Sequence, residues 1–169
     1  MTQISIAVIG SCNIDVVVEA PKRPLAGETI LGSRLIIAQG GKGANQAVAA
    51  ARLGAKVYMV GCVGDDDYGR SVIKNFEANG VDTGNVKVVP GVTTGTAHIT
   101  LAEGDNSIIV IKGANDLVTP ELIDEAWPQN CRLRYGNAAA RNSCCRHCPH
   151  LKKMCGSRSK SIAEPGACS

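Results

Sequence analysis

Along the first 128 residues, continuous apolar runs alternate with segments of helical character. The apolar runs are short and rich in β-branched residues, as expected of buried strands; they are Ile4–Ile9, Lys56–Cys62 and Lys87–Val89. Helices are predicted where a capping residue precedes a segment or a glycine follows it; these are Gln46–Leu53 before Gly54, Tyr68–Asn79 before Gly80, and a segment with Thr119 as N-cap and Pro120 in its first turn. The alternation predicts an α/β fold with a doubly wound, mainly parallel sheet.

Three further segments have the character of strands but do not fit this alternation. They are Val16–Val18, Glu28–Ile37 and a hairpin over residues 96–111 whose turn is formed by Glu103–Asn106. They are predicted to form a separate, small sheet.

The composition is that of a globular domain without a membrane segment. Hydrophobic residues make up 44% of the chain and aromatic residues only 3%, so the core must be built from aliphatic side chains. No stretch reaches 18 apolar residues, and the first residues have no basic segment followed by an apolar one, as a secretion signal would. We therefore expect a cytoplasmic protein with neither a membrane nor a nucleic acid as partner.

The charge changes sign near residue 128. Residues 1–128 contain 10 Lys and Arg against 14 Asp and Glu, a net of −4, whereas residues 129–169 contain 8 against a single Glu, a net of +7. Residues 129–169 also hold six of the eight cysteines, lack Val and Phe, and have only four large aliphatic residues. Such a segment cannot bury a core of its own and is predicted to be disordered.

A glycine-rich segment, Gly40–Asn45, lies between a predicted strand and a predicted helix. Glycines there let a ligand approach backbone N–H groups at a helix N-terminus. The segment is no P-loop, because Gly43 follows Lys42 where a P-loop has Ser or Thr, and it lacks the third glycine of a dinucleotide fingerprint. A tight turn without a ligand is the alternative.

Asn13 and Asp15 are predicted at the carboxyl end of the first strand, where open α/β sheets bind ligands. An amide and a carboxylate two residues apart can donate to and accept from neighbouring hydroxyls, as a polyol requires. The alternative is an ordinary Asx turn.

Other chemically active side chains have simpler interpretations. Asp65–Asp67 could bind a metal, but helix capping and the helix dipole explain carboxylates at a helix start more simply. His98 is predicted to be structural, and Cys12 and Cys62 to be small buried residues.

Taken together, these motifs resemble the ribokinase-type carbohydrate kinases. The resemblance rests on the order and spacing of several short segments, namely Asn13–Asp15, Pro24–Thr29, Gly40–Ala55, Gly61–Asp66, Thr94–Ala97 and Gly113–Asn115. It covers about 128 residues. The sequence is thereby identified as similar to the N-terminal part of that family, over residues 1–128.

The resemblance implies a Rossmann-like domain that carries a small β-sheet lid, here about residues 16–18, 28–37 and 96–111. It implies ATP, Mg²⁺ and often a monovalent cation as cofactors, phosphorylation of D-ribose at its 5-hydroxyl, and a homodimer formed through the lid. The implied substrate-binding residues are Asn13, Ile14, Asp15, Gly41, Lys42, Gly43, Ala44 and Asn45. Another furanose or a nucleoside is an alternative substrate, and a non-catalytic sugar-binding fragment is an alternative function.

The resemblance also implies a later segment of the type Asp-Thr-x-Gly-Ala-Gly-Asp, whose last Asp is the catalytic base. No segment of this chain matches it, so no catalytic, ATP-binding or metal-binding residue is assigned. The fold is expected to be incomplete on its C-terminal side, and the 169-residue chain to be inactive as a kinase.

The composition of residues 129–169 has two explanations. Cys145, Cys148 and the neighbouring histidines have the residue types of a zinc site, but a second CxxC is missing. When Asn130–Cys145 is back-translated and read from the second base of each codon, it can encode Ile-Ala-Ala-Ser-Asp-Met-Val-Met-Leu-Gln-Gln-Glu-Ile-Pro-Ala. That peptide has the apolar character that the written segment lacks. A frameshift near Pro128–Gln129 is the explanation we favour.

Overall fold

The computed structural model describes residues 4–126 and 136–138. Its strands are β1 Ser5–Ile9, β2 Asn13–Glu19, β3 Arg34–Gly40, β4 Lys56–Gly64, β5 Val81–Val89, β6 Gly95–Ala102, β7 Asp105–Ile111 and β8 Gly136–Ala138. Its helices are α1 Lys42–Arg52, α2 Asp67–Ala78 and α3 Pro120–Ala126, with a 3₁₀ helix at Gly113–Leu117.

The larger sheet has the strand order β5-β4-β1-β8, and every neighbouring pair in it is parallel. Successive residues of a strand point to opposite faces, so Val8 and Ile9 enter different clusters. Val8 belongs to the main core with Val57, Met59 and Phe76, against which residues of α1 and α2 pack. Ile9 packs with Val60 and Ile123 of α3 on the other face. Helices thus cover both faces, which confirms the doubly wound α/β prediction.

The smaller sheet has the order β3-β2-β6-β7 and confirms the predicted separate sheet. Its central pair, β2 and β6, is parallel, and the two outer pairs are antiparallel. Ile14 of β2 is buried in the main core, but every residue of β7 is exposed. We call this element the small sheet; it is anchored to the domain at one end and projects into solvent at the other.

The strand bounds in the small sheet differ from those predicted. β3 runs from Arg34 to Gly40, so residues 28–33 of the predicted strand 28–37 lie outside it, and β2 is longer than residues 16–18. Glu28 instead closes a turn, in which its N–H donates to Leu25 C=O and its carboxylate accepts from Leu25 N–H. The β-branched residues of 28–37 therefore indicated a strand some residues too early.

The residues that cap α3 and α1 determine where these two helices begin. Thr119 accepts a hydrogen bond from Leu122 N–H at 3.3 Å, which confirms its predicted capping role at α3. α1 begins at Lys42 and not at Gln46, because Gly41 has a φ of +93° as N-cap and Ala44 N–H donates to Ser11 C=O. Gly43, Ala44 and Asn45 therefore form the first turn of the helix.

Most of residues 129–169 lie outside the described part of the chain, including the cysteines and histidines considered as zinc ligands. Gly136–Ala138 forms β8, which pairs in parallel with Ala7–Ile9 of β1. Within the described residues, no helix is long and apolar enough to cross a membrane.

Candidate functional site

The candidate site lies where the small sheet joins the larger one. Asn13 and Asp15, predicted at the carboxyl end of the first strand, lie inside β2, because β1 ends at Ile9 and Gly10–Cys12 connects the two strands. Being two residues apart on a strand, the two side chains share a face of the small sheet.

The strand neighbours of Asn13 and Asp15 are small. Asn13 lies between Gly40 and Gly95, and Asp15 lies between two alanines, Ala38 and Ala97. Because these neighbours have no bulk, the space beside the amide and the carboxylate is not filled by larger side chains. Ile14, the residue between them, points the other way and is 1% exposed in the core, so it can offer a ligand only its backbone.

The glycine-rich segment brings the start of α1 against this face. A Cβ on Gly40 would overlap the Asp15 carboxylate, so the carboxylate lies directly on the Gly40 backbone. A Cβ on Gly41 would come within 2.5 Å of Ser11 C=O, and its φ of +93° also favours glycine. The segment can approach β2 this closely because Gly40 and Gly41 have no side chains.

Of the remaining predicted site residues, some can offer a ligand only their backbone and others also a side chain. Gly43 and Ala44 are buried, and a Cβ on Gly43 would lie 2.7 Å from the Gly10 backbone. Lys42 and Asn45, in the first turn of α1, are exposed and available to a ligand. The structure therefore brings together Asn13, Asp15 and the Gly41–Asn45 turn.

The Asp15 carboxyl is electrostatically unusual. Burial raises its pKa above the ordinary value of an aspartate. Among the described residues no cation forms a salt bridge with it. A partly desolvated carboxylate without a cation is well placed to accept hydrogen bonds from hydroxyl groups of a ligand.

The acidic residues at the start of α2 have a different role. Asp66 is the N-cap and accepts hydrogen bonds from Gly69 N–H, Thr94 N–H and the Thr94 hydroxyl at 2.6–2.8 Å. Desolvation alone would raise the pKa of Asp66, but these hydrogen bonds outweigh it and lower the pKa. Asp65 and Asp67 form ion pairs with Arg70. The capping interpretation is confirmed.

The two cysteines of the described region are buried and form no disulfide. Burial, and to a smaller extent the neighbouring Cys62, raises the pKa of the Cys12 thiol to about 12. At neutral pH the thiol therefore stays protonated and is a poor nucleophile. His98 is exposed and its ring contacts the Thr96 hydroxyl at 3.2 Å.

One residue of this site was missed by the sequence reasoning. Asn115, at the 3₁₀ helix, donates from Nδ2 to Asn13 Oδ1 at 2.8 Å and accepts from Cys12 N–H at 2.8 Å. The sequence marks it only as the last residue of the Gly113–Asn115 motif. Its partners precede it by about 100 residues, so no local pattern could have revealed the contact.

Comparison with known proteins decides the family. The sequence profile described as "pfkB family carbohydrate kinase" matches residues 3–165, which is nearly the whole chain. The chain belongs to the pfkB family of carbohydrate kinases.

Individual pfkB-family relatives are similar over the same N-terminal region. Ribokinase of Bacillus subtilis (strain 168) is 62% identical over 125 residues, which are 74% of this chain and 43% of the relative. Deoxyribokinase of Salmonella typhi is 47% identical over 122 residues, or 72% of this chain and 40% of the relative. The chain thus spans about two fifths of the length of these curated relatives.

Solved structures of ribokinases share the fold. The structure of Arabidopsis thaliana ribokinase complexed with ribose and ATP matches with a TM-score of 0.63 at 38% identity, covering 68% of this chain and 38% of that one. Ribokinase from Giardia lamblia matches with a TM-score of 0.66 at 35% identity, covering 73% and 38%. The Rossmann-like domain with a small separate sheet is therefore the pfkB-family arrangement.

Proposed function

We propose that these residues form the sugar-binding part of a ribokinase, an enzyme that transfers phosphate from ATP to the 5-hydroxyl of D-ribose. The observation that carries the proposal is the meeting of Asn13, Asp15 and the Gly41–Asn45 turn at the junction of the two sheets. The identity to ribokinases supports ribose as the substrate.

The chemistry of the site suits a polyol. A sugar hydroxyl both donates and accepts, so it needs an acceptor and a donor nearby. Asp15 supplies acceptor oxygens, and Asn13, Asn45 and the Lys42 ammonium supply donors. Ribose would lie over the small neighbours of β2, between the small sheet and the start of α1.

The described residues do not fit a magnesium or nucleotide site. Their most concentrated acidic group, Asp65–Asp67, is occupied by helix capping and by Arg70. The sequence also lacks the Asp-Thr-x-Gly-Ala-Gly-Asp type of segment in which the catalytic base of this family lies. We therefore assign sugar binding, and no step of phosphate transfer, to these residues, and propose that the 169-residue chain alone does not phosphorylate ribose.

Calorimetric titration of the purified chain with D-ribose tests the proposal. We expect saturable binding of D-ribose without ATP turnover, and much weaker binding by the isosteric variant Asp15→Asn. Arg34→Gln, a charge change at the far end of β3, is the matched control and should bind like the unaltered chain. Absence of ribose binding would refute sugar recognition, and ATP-dependent ribose phosphorylation would refute inactivity.

The similarity to a deoxyribokinase leaves a second sugar to be tested. A panel of D-ribose, 2-deoxyribose and nucleosides, assayed with a frame-corrected clone, would rank them. Preference for 2-deoxyribose or a nucleoside would replace ribose as the substrate. A confirmed reading frame together with ribose binding but no turnover would favour the non-catalytic sugar-binding fragment.

We also propose the frameshift near Pro128–Gln129. β8, at residues 136–138, is written as Gly-Asn-Ala, which are weak strand formers, whereas the shifted frame places Val-Met-Leu at the same position. The written sequence matches the pfkB family to residue 165, so that match does not mark the proposed change, but the match to Bacillus subtilis ribokinase spans only 125 residues, close to the length of residues 1–128. Resequencing of the gene across codon 128 tests this; an unchanged sequence would refute it.

Two finer features complete the proposal. Self-association through the small sheet is supported by its exposed apolar residues, among them Leu35, Ile37 and Ile109. A cytoplasmic location is supported by the use of ATP as phosphate donor.

A further inference from the structure

The Asn115 side chain connects two of the places where the chain passes between the two sheets. Its Oδ1 accepts from Cys12 N–H at 2.8 Å. Its Nδ2 faces three oxygens, namely Cys12 C=O at 3.1 Å, Lys112 C=O at 2.9 Å and Asn13 Oδ1 at 2.8 Å. A single amide thus joins the entrance of β2 to the exit of β7.

These contacts fix the orientation of the Asn13 amide. A backbone N–H can only donate, so the Asn115 atom that meets Cys12 N–H has to be the oxygen, and the other atom the NH₂ group. An NH₂ group can only donate in turn, so the Asn13 atom that it meets has to be Oδ1. Within the described residues no acceptor takes the protons of Asn13 Nδ2, which is left for a ligand.

We infer that Asn115 is a positioning residue that sets the polarity of sugar recognition by making Asn13 present N–H donors beside the Asp15 carboxylate. This inference rests on the proposed function. Asn13 then donates a hydrogen bond to a hydroxyl oxygen of the sugar, and Asp15 accepts one from a hydroxyl proton. An Asn13 with the opposite orientation would offer two neighbouring acceptors and no donor.

Gly95 gives independent support for a dedicated contact between the two asparagines. A Cβ at this position would come within 2.5 Å of Asn13 Oδ1 and would overlap Asn115 Nδ2. Gly95 also pairs directly with Asn13 across β2 and β6. Any side chain here would therefore separate the two amides.

The test is Asn115→Asp. A carboxylate keeps the shape and can still accept from Cys12 N–H, but it has no N–H, so Asn13 has to turn its own NH₂ group toward it and away from the sugar. We expect ribose affinity, measured by NMR titration, to fall about ten-fold or more. In an Asn13→Ala background the same change should alter affinity less than about two-fold, because the residue through which it acts is gone.

Asn79→Asp is the matched control. Asn79 accepts from Arg52 and donates to Asn75 C=O at the end of α2, so its replacement also removes an amide donor while keeping the acceptor. It should leave ribose affinity unchanged. Melting temperatures of all variants separate loss of fold from loss of recognition.

Gly95→Ala should also separate the two amides, so its effect on ribose affinity is compared in the same way with and without Asn13. This variant tests the inference if Asn115→Asp does not fold. Equal losses of affinity with and without Asn13, or no loss, would overturn the inference while leaving the proposed function intact. If the unaltered chain binds no ribose, both are wrong.

Discussion

At the scale of single residues, the site depends on a carboxylate that has lost part of its hydration. Asp15 lies on the bare backbone of Gly40, where a larger residue would collide with it. Its desolvation destabilises the ionised form, and a ligand hydroxyl can compensate by donating to it. If Asp15 contacts the sugar as proposed, ligand binding is coupled to its protonation.

This coupling gives a pH dependence. Because burial raises the pKa of Asp15, the carboxylate takes up a proton at a higher pH than an ordinary aspartate does. Ribose affinity should consequently weaken as the pH falls from about 7 toward about 4, beginning above the usual aspartate range. Calorimetric titrations across this range measure it. Asp15→Asn, which cannot titrate, should give weak binding that does not vary with pH; an unchanged pH profile would contradict the assignment.

Gly41 and Gly80 allow backbone strain to be separated from close packing. Both have positive φ, but a Cβ on Gly80 meets nothing within 4 Å, whereas one on Gly41 comes within 2.5 Å of Ser11 C=O. Gly80→Ala should cost about 1 kcal/mol of unfolding free energy, and Gly41→Ala clearly more, of the order of 3 kcal/mol. Urea unfolding measures both. Equal costs would show that the turn is not held against β2.

At the scale of elements, Thr94 connects the start of β6 to the N-terminus of α2. Its hydroxyl donates to Asp66 and accepts from Gly64 N–H, and the residue is 1% exposed. This joins the point where the chain enters the small sheet to a helix of the main domain.

Thr94→Val should reveal the strength of this connection. Valine keeps the shape but leaves Gly64 N–H and Asp66 without the hydroxyl, so the unfolding free energy should fall by about 1–3 kcal/mol. The lowered pKa of Asp66 stabilises the fold above the unfolded-state pKa, and this stability is lost as the pH falls through the folded-state pKa. The variant should therefore also lose less stability on acidification. Thr100→Val, half-buried in β6, is the control; a cost equal to that of Thr94→Val would contradict the prediction.

The sequence predicted the positions of strands and helices better than the connections and contacts between them. Apolar runs located β1 and β4, and capping residues located α2 and α3, because those signals are local. The assignment of Asn13 to the end of the first strand was wrong because the short connection Gly10–Cys12 carries no sequence signal for a change of sheet. The contact between Asn115 and Asn13 was missed because only the folded chain brings the two residues together.

At the scale of the whole molecule, the small sheet presents apolar side chains that nothing in the described residues covers. Leu35 and Ile37 are 62% and 57% exposed, and Ile109 is 71% exposed. A second copy of the chain would bury them, as the proposed self-association requires.

Ile109→Lys should therefore shift the chain toward monomer. A charge in a dimer contact has to be desolvated without a partner, so the dimer should dissociate at least about ten-fold more readily. Sedimentation equilibrium measures this. Leu53→Lys, 89% exposed at the end of α1, is the control for a lysine at an exposed apolar site. If both variants or neither dissociate, the small sheet is not the contact.

The distance in sequence between Asn13 and Asn115 has a consequence for synthesis on the ribosome. Every side chain proposed to contact sugar lies within the first 45 residues, but the amide that orients Asn13 is translated 102 residues after it. If the proposal is right, a nascent chain carries every one of these sugar-contacting groups long before Asn13 is oriented, and it reaches full sugar affinity only after Asn115 has been translated and folded.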